Sequence, residues 1–135
     1  MFYHEEKVRV RYAETDKMGY VYYGNYSSYF EVARVELMRS LGISYKEMEE
    51  EGVMLPVADY KIKYLRPAFY DDLLTIKTTV KEKPGIKIRF HYELENKKGE
   101  LLTVAETTLV FVDKLSMKPT NPTKAFQEIV AKKFN

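Results

Sequence analysis

Tyr12-Ala13-Glu14-Thr15-Asp16-Lys17-Met18-Gly19-Tyr20-Val21-Tyr22-Tyr23-Gly24-Asn25-Tyr26 is the stretch whose reading decides the fold. It lies between a segment of strand period and the first long helix. Upstream, Val8, Val10 and Tyr12 alternate with Lys7, Arg9 and Arg11, the period of a half-buried strand. Downstream, Tyr26, Phe30, Ala33, Leu37 and Leu41 recur at helical spacing, which predicts a helix from about Ser27 to Leu41. Asn25 or Ser27 is positioned to cap it, and Gly42 stops it. Tyr29, Val32, Val35 and Met38 add apolar surface on its other sides. So little polar face predicts a helix buried on most of its circumference. The loop between strand and helix offers a carboxylate, two glycines and a helix start about eight residues after Asp16. A helix start exposes unpaired N–H groups and the positive end of the dipole. A carboxylate near such an anion site is one way to attack a carbonyl and hold the oxyanion that forms. By spacing alone, a simple turn role for Asp16 is the plainer reading, because Asp bonds its own backbone in turns.

Ser44-Tyr45-Lys46-Glu47 reads as a capping box for a short second helix ending near Gly52. From Met54 the pattern changes to period two. Val57 to Leu65 is one strand, with Tyr60, Ile62 and Tyr64 on one face and Asp59, Lys61 and Lys63 on the other. Arg66-Pro67 ends its pairing. Leu74 to Val80 and Ile86 to Glu95 alternate in the same way, separated by the turn Lys83-Pro84-Gly85. After Asn96-Lys97-Lys98-Gly99, the stretch Leu101 to Asp113 is mostly apolar, with Glu106 interrupting it, and reads as the central strand. Asn121 and Pro122 open a C-terminal helix with Phe126, Ile129, Val130 and Phe134 on its apolar side. One strand, one apolar helix and four strands joined largely by short turns predict an α+β domain. A long, curved antiparallel sheet then wraps the helix. Such a sheet leaves an open edge, and pairing of edges in a dimer is the usual remedy.

Composition narrows the function. With 135 residues the chain fits one domain, 1–135, with a sizeable core. Lys+Arg 22 against Asp+Glu 20 gives +2, a near-balance that argues against nucleic acid as the main partner. The absence of cysteine excludes disulfides, thiolate catalysis and Cys-type zinc sites. Two histidines are too few for a metal cluster, and no other cofactor is implied. The residues from Met1 to Lys7 lack the apolar run of a signal peptide, and no segment approaches a membrane span. These features predict a cytoplasmic protein. Twelve Tyr and seven Phe predict aromatic packing or an aromatic interface. His4 reads as incidental, and His91 as solvated or interfacial. Glu31 and Arg34, three apart on the helix, are positioned to pair.

The loop and helix blocks resemble the acyl-CoA thioesterases of the 4-hydroxybenzoyl-CoA thioesterase and YbgC type. The residues that carry the resemblance are Tyr12 to Asp16, Gly19, Tyr23 to Tyr26 and Phe30-Glu31-Val32-Ala33-Arg34. Tyr64-Leu65-Arg66-Pro67-Ala68-Phe69-Tyr70-Asp71-Asp72 is similar to a second block of that family. The resemblance runs from about Val8 to Pro122. It implies the hotdog fold, a homodimer or a homotetramer built from dimers, and an acyl-CoA or acyl carrier protein thioester as substrate. Asp16 matches the family's catalytic carboxylate. Tyr23 stands where the family presents a backbone N–H to the thioester carbonyl. Many YbgC-type members have histidine there, so the backbone donor carries over and an imidazole role does not. Gly24 and Asn25 follow the family's tight entry into the helix. Of the basic residues on the strands, Lys87 and Arg89 are the candidates for the phosphates of coenzyme A.

The resemblance implies hydrolysis of an acyl-CoA, with Asp16 attacking the carbonyl directly or activating water. Two other readings stand beside it. One is a hotdog-fold dehydratase, disfavoured because no histidine lies in the central loop or helix. The other is a noncatalytic acyl-thioester binding protein, disfavoured by the intact Asp16 loop.

Overall fold

The computed structural model describes residues 1–134. Strand β1 (Phe2–Arg9) comes first. It begins and ends earlier than the alternation around Val8 suggests. Val10 is still buried, but Tyr12 turns out to solvent as Tyr12–Glu14 coils into a 3-10 turn. Helix α1 (Tyr26–Ser40) follows a second 3-10 turn, Tyr23–Asn25. Then come helix α2 (Tyr45–Glu50), strands β2 (Val53–Met54), β3 (Val57–Tyr64), β4 (Leu73–Val80), β5 (Lys87–Glu95), β6 (Leu101–Val110) and β7 (Val112–Asp113), and helix α3 (Lys124–Lys133).

The five long strands form one antiparallel sheet in the order β1-β4-β5-β6-β3. The predicted α+β architecture is therefore present, but two details differ. Only β4-β5 and β5-β6 are neighbours joined by short turns. Between β3 and β4 the chain crosses from one edge of the sheet to the side of β1. The middle strand is β5, whose side chains alternate between buried and exposed. An antiparallel sheet can leave one face to water, so its middle strand needs no continuous apolar run. The apolar run after Leu101 ends as β6 at Val110, and β7 then turns away to pair with β2.

On the inner face, Ile76, Ile88, Phe90, Tyr92, Leu94 and Leu109 are buried against α1 and the helix ends. Phe30 of α1 lies fully inside, its ring 4.5 Å from that of Tyr92 and 6.3 Å from that of Tyr60. Phe126 of α3 closes one end of the core against Phe2 and Phe111. The cap of α3 is Thr123, whose Oγ1 accepts from the Phe126 N–H, rather than Asn121. α1 is less enclosed than its apolar sequence predicts. Tyr26, Tyr29, Phe30, Ala33, Leu37 and Met38 are buried, but Ser27, Ser28, Glu31 and Val32 are exposed. One sheet covers one side of a helix and part of its flanks, and the remaining stripe stays open. Glu31 and Arg34 make no ion pair. Arg34 is buried while Glu31 points outward. No helix among the described residues is long and apolar enough to cross a membrane.

Candidate active site

The loop from Ala13 to Gly24 is tied down at both ends and in the middle. Asp16 opens a turn: its carbonyl accepts the Gly19 N–H at 3.0 Å, and its N–H donates to the Tyr20 carbonyl at 2.8 Å. Gly19 has φ +79, a conformation that glycine adopts without steric cost. The side chain supports the same turn. Asp16 Oδ1 accepts the Met18 N–H at 2.9 Å and the Tyr20 N–H at 3.3 Å. The turn reading of Asp16 is thus correct as far as Oδ1 is concerned. Oδ2 makes no hydrogen bond among the described residues and is available to a ligand.

The crossing segment between β3 and β4 carries the loop. Ala68 accepts the Val21 N–H at 2.8 Å, and Tyr20 bridges to Phe69. The other anchor is Glu14, which the sequence did not single out. Its carbonyl accepts both the Tyr22 N–H and the Asn25 side-chain amide at 2.8 Å. Asn25 therefore fastens the loop to the helix start and does not cap the helix with its side chain. The Glu14 carboxylate accepts from the Tyr29 hydroxyl at 2.8 Å, and from the Arg11 N–H and guanidinium. Burial alone would raise the Glu14 pKa. The Arg11 backbone, the Arg11 side chain and the Tyr29 hydroxyl outweigh it and hold the carboxyl below its ordinary value. Burial and that neighbouring carboxylate push the Tyr29 hydroxyl strongly upward. No spacing rule links Glu14 to a tyrosine fifteen positions later, so only the fold reveals the contact.

The 3-10 turn Tyr23–Asn25 enters α1 directly. Asn25 N–H bonds to the Tyr22 carbonyl, whereas the Tyr23 and Gly24 N–H groups have no acceptor among the described backbone bonds. Gly24 keeps this entry narrow, since a Cβ there would lie 2.7 Å from Cε2 of the Tyr22 ring. Asp16, Tyr23 and Tyr26 line a cleft of about 320 Å³ together with Tyr64, Leu65 and Arg66. Arg66 is held at the wall by Glu100, 2.6 Å away. The Tyr64 hydroxyl lies 3.4 Å from the Tyr23 carbonyl.

The structure brings Asp16, Tyr23, Gly24 and Asn25 together. Lys87 and Arg89 lie elsewhere, on the solvent face of β5. Arg89 pairs with Thr108 of β6, whereas the cleft residue Tyr64 pairs with Thr103. Five residues of strand separate the two places, about 17 Å at the usual rise. Arg89 Nε is occupied by the Thr108 hydroxyl at 3.2 Å. A larger concavity of about 510 Å³ lies on the outer face of the sheet, lined by Lys61, Lys77, His91 and Glu106. Part of its charge is paired: Lys61 and His91 with Glu106, Lys77 with Glu95, and His91 also with Glu82, whereas Lys63, Lys81 and Glu93 are in no ion pair among the described residues. Its lining residues lie on strands or, for Lys81, just after one, so no helix start faces it, and the smaller cleft, which has one, is the better candidate for chemistry. No group of three or more His, Asp or Glu side chains suited to a metal occurs among the described residues.

A sheet wrapped on a central helix, with a carboxylate loop facing the first helical turn, defines a hotdog-fold protein of the thioesterase class. The family model described as Thioesterase-like superfamily matches residues 10–130, and the chain belongs to that family. It is 40% identical over 124 residues to YneP of Bacillus subtilis (strain 168), provisionally named an acyl-CoA thioesterase. That match covers 92% of this chain and 90% of the relative. It is 37% identical over 112 residues to the acyl-CoA thioester hydrolase YbgC of Escherichia coli O157:H7, covering 83% and 84%. Among solved structures it matches a DHNA-CoA thioesterase from Staphylococcus aureus with TM-score 0.93 and 37% identity. There the match covers 98% of this chain and 91% of the other.

Proposed function

We propose that the chain hydrolyses acyl-CoA thioesters in the cleft between Asp16 and the start of α1. The observation that supports this reading is that Asp16 and Tyr23, whose N–H has no acceptor among the described backbone bonds, line one cleft. A thioester carbonyl is already electrophilic, so an oriented oxygen and an oxyanion donor suffice. In the direct route, Asp16 Oδ2 forms a bond to the carbonyl carbon and the Tyr23 N–H stabilises the oxyanion. Collapse breaks the C–S bond, the coenzyme A thiolate takes a proton from solvent, and water hydrolyses the anhydride to acid and free Asp16. In the alternative route, Asp16 takes a proton from water, which attacks the same carbon. Both routes place the same two groups at the carbonyl.

The relatives named as acyl-CoA hydrolases support coenzyme A over acyl carrier protein as the thiol carrier. The same reading makes the protein a cytoplasmic homo-oligomer. A dehydratase would need a histidine beside the carboxylate, and both histidines lie away from the cleft, His4 on β1 and His91 on the outer face of β5.

Asp16→Asn tests the assignment. The amide oxygen still accepts from Met18 and Tyr20, so the turn is kept while the nucleophile or base is lost. Thiol release from a panel of aliphatic and aromatic acyl-CoAs should fall by at least about 10²-fold. Near-normal turnover in a folded Asp16→Asn protein would remove Asp16 from the chemistry. No turnover of any acyl-CoA by the wild type would favour a binding protein.

A further inference from the structure

Asn25 is the residue before α1, where an asparagine ordinarily caps the helix by accepting a first-turn N–H. Its side chain makes no such bond. Instead its amide reaches back eleven residues and donates to the Glu14 carbonyl at 2.8 Å. The same oxygen accepts the Tyr22 N–H, also at 2.8 Å. These two bonds flank Tyr23, one on each side, and end on one oxygen. Between them the Asn25 N–H donates to the Tyr22 carbonyl at 2.9 Å and closes the turn. Asn25 itself is half-buried and does not line the cleft.

The residue that receives these bonds is itself fixed. The Glu14 carboxylate accepts from the Tyr29 hydroxyl at 2.8 Å and from the Arg11 N–H and guanidinium. Asn25 and Tyr29 are four apart, one helical turn, so Glu14 is attached to the start of α1 at two points. Two points set orientation as well as distance. On the other side, Thr15 bridges to Val21 and the Asp16 N–H donates to the Tyr20 carbonyl, so Asp16 is held to Glu14 through a closed turn. Glu14 is therefore the pivot between the arm that carries the Asp16 carboxylate and the arm that carries the Tyr23 N–H. Without the Asn25 bond, the turn Tyr23–Asn25 keeps only its attachment at Tyr22 and is free to rotate about it. A displacement of about 1 Å between reacting groups costs on the order of 10² in rate.

We propose that Asn25 is a positioning residue for the hydrolysis: through the Glu14 carbonyl it holds the Tyr23 N–H at the separation from Asp16 that the thioester carbonyl needs. This rests on Asp16 and Tyr23 as the reacting pair, and it takes the Asn25 side chain off the substrate.

Two full-length variants test it, with kcat and KM measured on one acyl-CoA per folded protein. Asn25→Ala removes the donor without adding charge. Its kcat should fall at least about tenfold while KM stays within about twofold. Asn25→Asp keeps the size and a favourable capping residue but sets a carboxylate against the Glu14 carbonyl. Its kcat at neutral pH should fall at least as far. On acidification the new carboxyl takes up a proton, and its O–H can donate to the same carbonyl. The kcat ratio of Asn25→Asp to wild type should therefore climb toward one as pH falls to about 4, the ordinary carboxyl range, while the ratio for Asn25→Ala stays flat. The ratio cancels the titration of Asp16, which both proteins share. Full kcat in Asn25→Ala overturns the proposal, and a loss confined to Asn25→Asp would then be its charge acting on the oxyanion. A raised KM with unchanged kcat in either variant overturns it by placing the side chain on the substrate. A ratio for Asn25→Asp as flat as that for Asn25→Ala also overturns it, since a regained donor would then restore nothing. Undiminished turnover in Asp16→Asn would remove the reading of the cleft and this proposal with it, whatever the Asn25 variants do.

Discussion

At the residue scale, Asp16 Oδ1 builds the turn while Oδ2 makes no hydrogen bond among the described residues, so the turn role leaves room for the chemical role proposed for the same carboxylate. The sequence presented these as rivals because spacing cannot tell one oxygen from the other. Tyr23 poses the converse question, whether its backbone or its side chain acts. Its side chain is 66% exposed, and its ring lies tilted at 39° to that of Tyr22, with centroids 4.7 Å apart. A donor that acts through the peptide N–H survives Tyr23→Phe. That variant should keep kcat within several-fold of wild type, whereas loss of a true oxyanion donor costs on the order of 10² to 10³. Comparing kcat on one acyl-CoA decides it. A hundredfold loss with an intact circular dichroism spectrum would assign the hydroxyl to the chemistry.

At the scale of elements, the period-two segments were legible because each of β4 and β5 buries one face, and Ile76, Ile88 and Phe90 fall on it as their alternation requires. Strand order was not legible. Nothing local in Arg66-Pro67 tells the chain to cross the sheet, since that path is set by the loop it carries through Ala68 and Phe69. Glu14 was missed for the same reason. Its partners Asn25 and Tyr29 meet it only once α1 has docked. The consequence can be measured. The folded pKa of Glu14 lies below its ordinary value of 4.5, so its stabilising contribution is complete above that value. The contribution fades as pH falls through the lower folded value, where the carboxyl takes up a proton. Glu14→Gln lacks this charge. Its urea midpoint should lie below that of wild type at neutral pH, and the gap should close on acidification. A gap that stays constant with pH would mean that the carboxylate charge is not what holds the loop to α1.

At the scale of the whole molecule, a five-stranded sheet cannot enclose a helix as apolar as α1, and the uncovered remainder is concentrated on one side. The exposed face of α1 and the free edge of β3 adjoin there, and Tyr64 belongs to both that edge and the cleft wall. The aromatic surplus in the sequence points to core and interface alike. Tyr26, Tyr29, Phe30, Phe90 and Tyr92 are buried, while Tyr60, Tyr64 and Phe69 remain 38% to 46% exposed. If a second copy covers that side, folding and association are linked, and thermal stability must depend on protein concentration. A tenfold rise in concentration adds about 1.4 kcal/mol per mole of dimer. The unfolding entropy of two such chains is roughly 0.6 kcal/mol/K, so the midpoint should rise by about 2 °C for each tenfold step. Calorimetry across a hundredfold range of concentration should thus show a shift of about 5 °C, with light scattering giving twice the chain mass or a multiple of it. A midpoint that does not move, together with a monomer mass and undiminished turnover, would show that the open side of α1 and β3 tolerates water and that the cleft is complete within one chain.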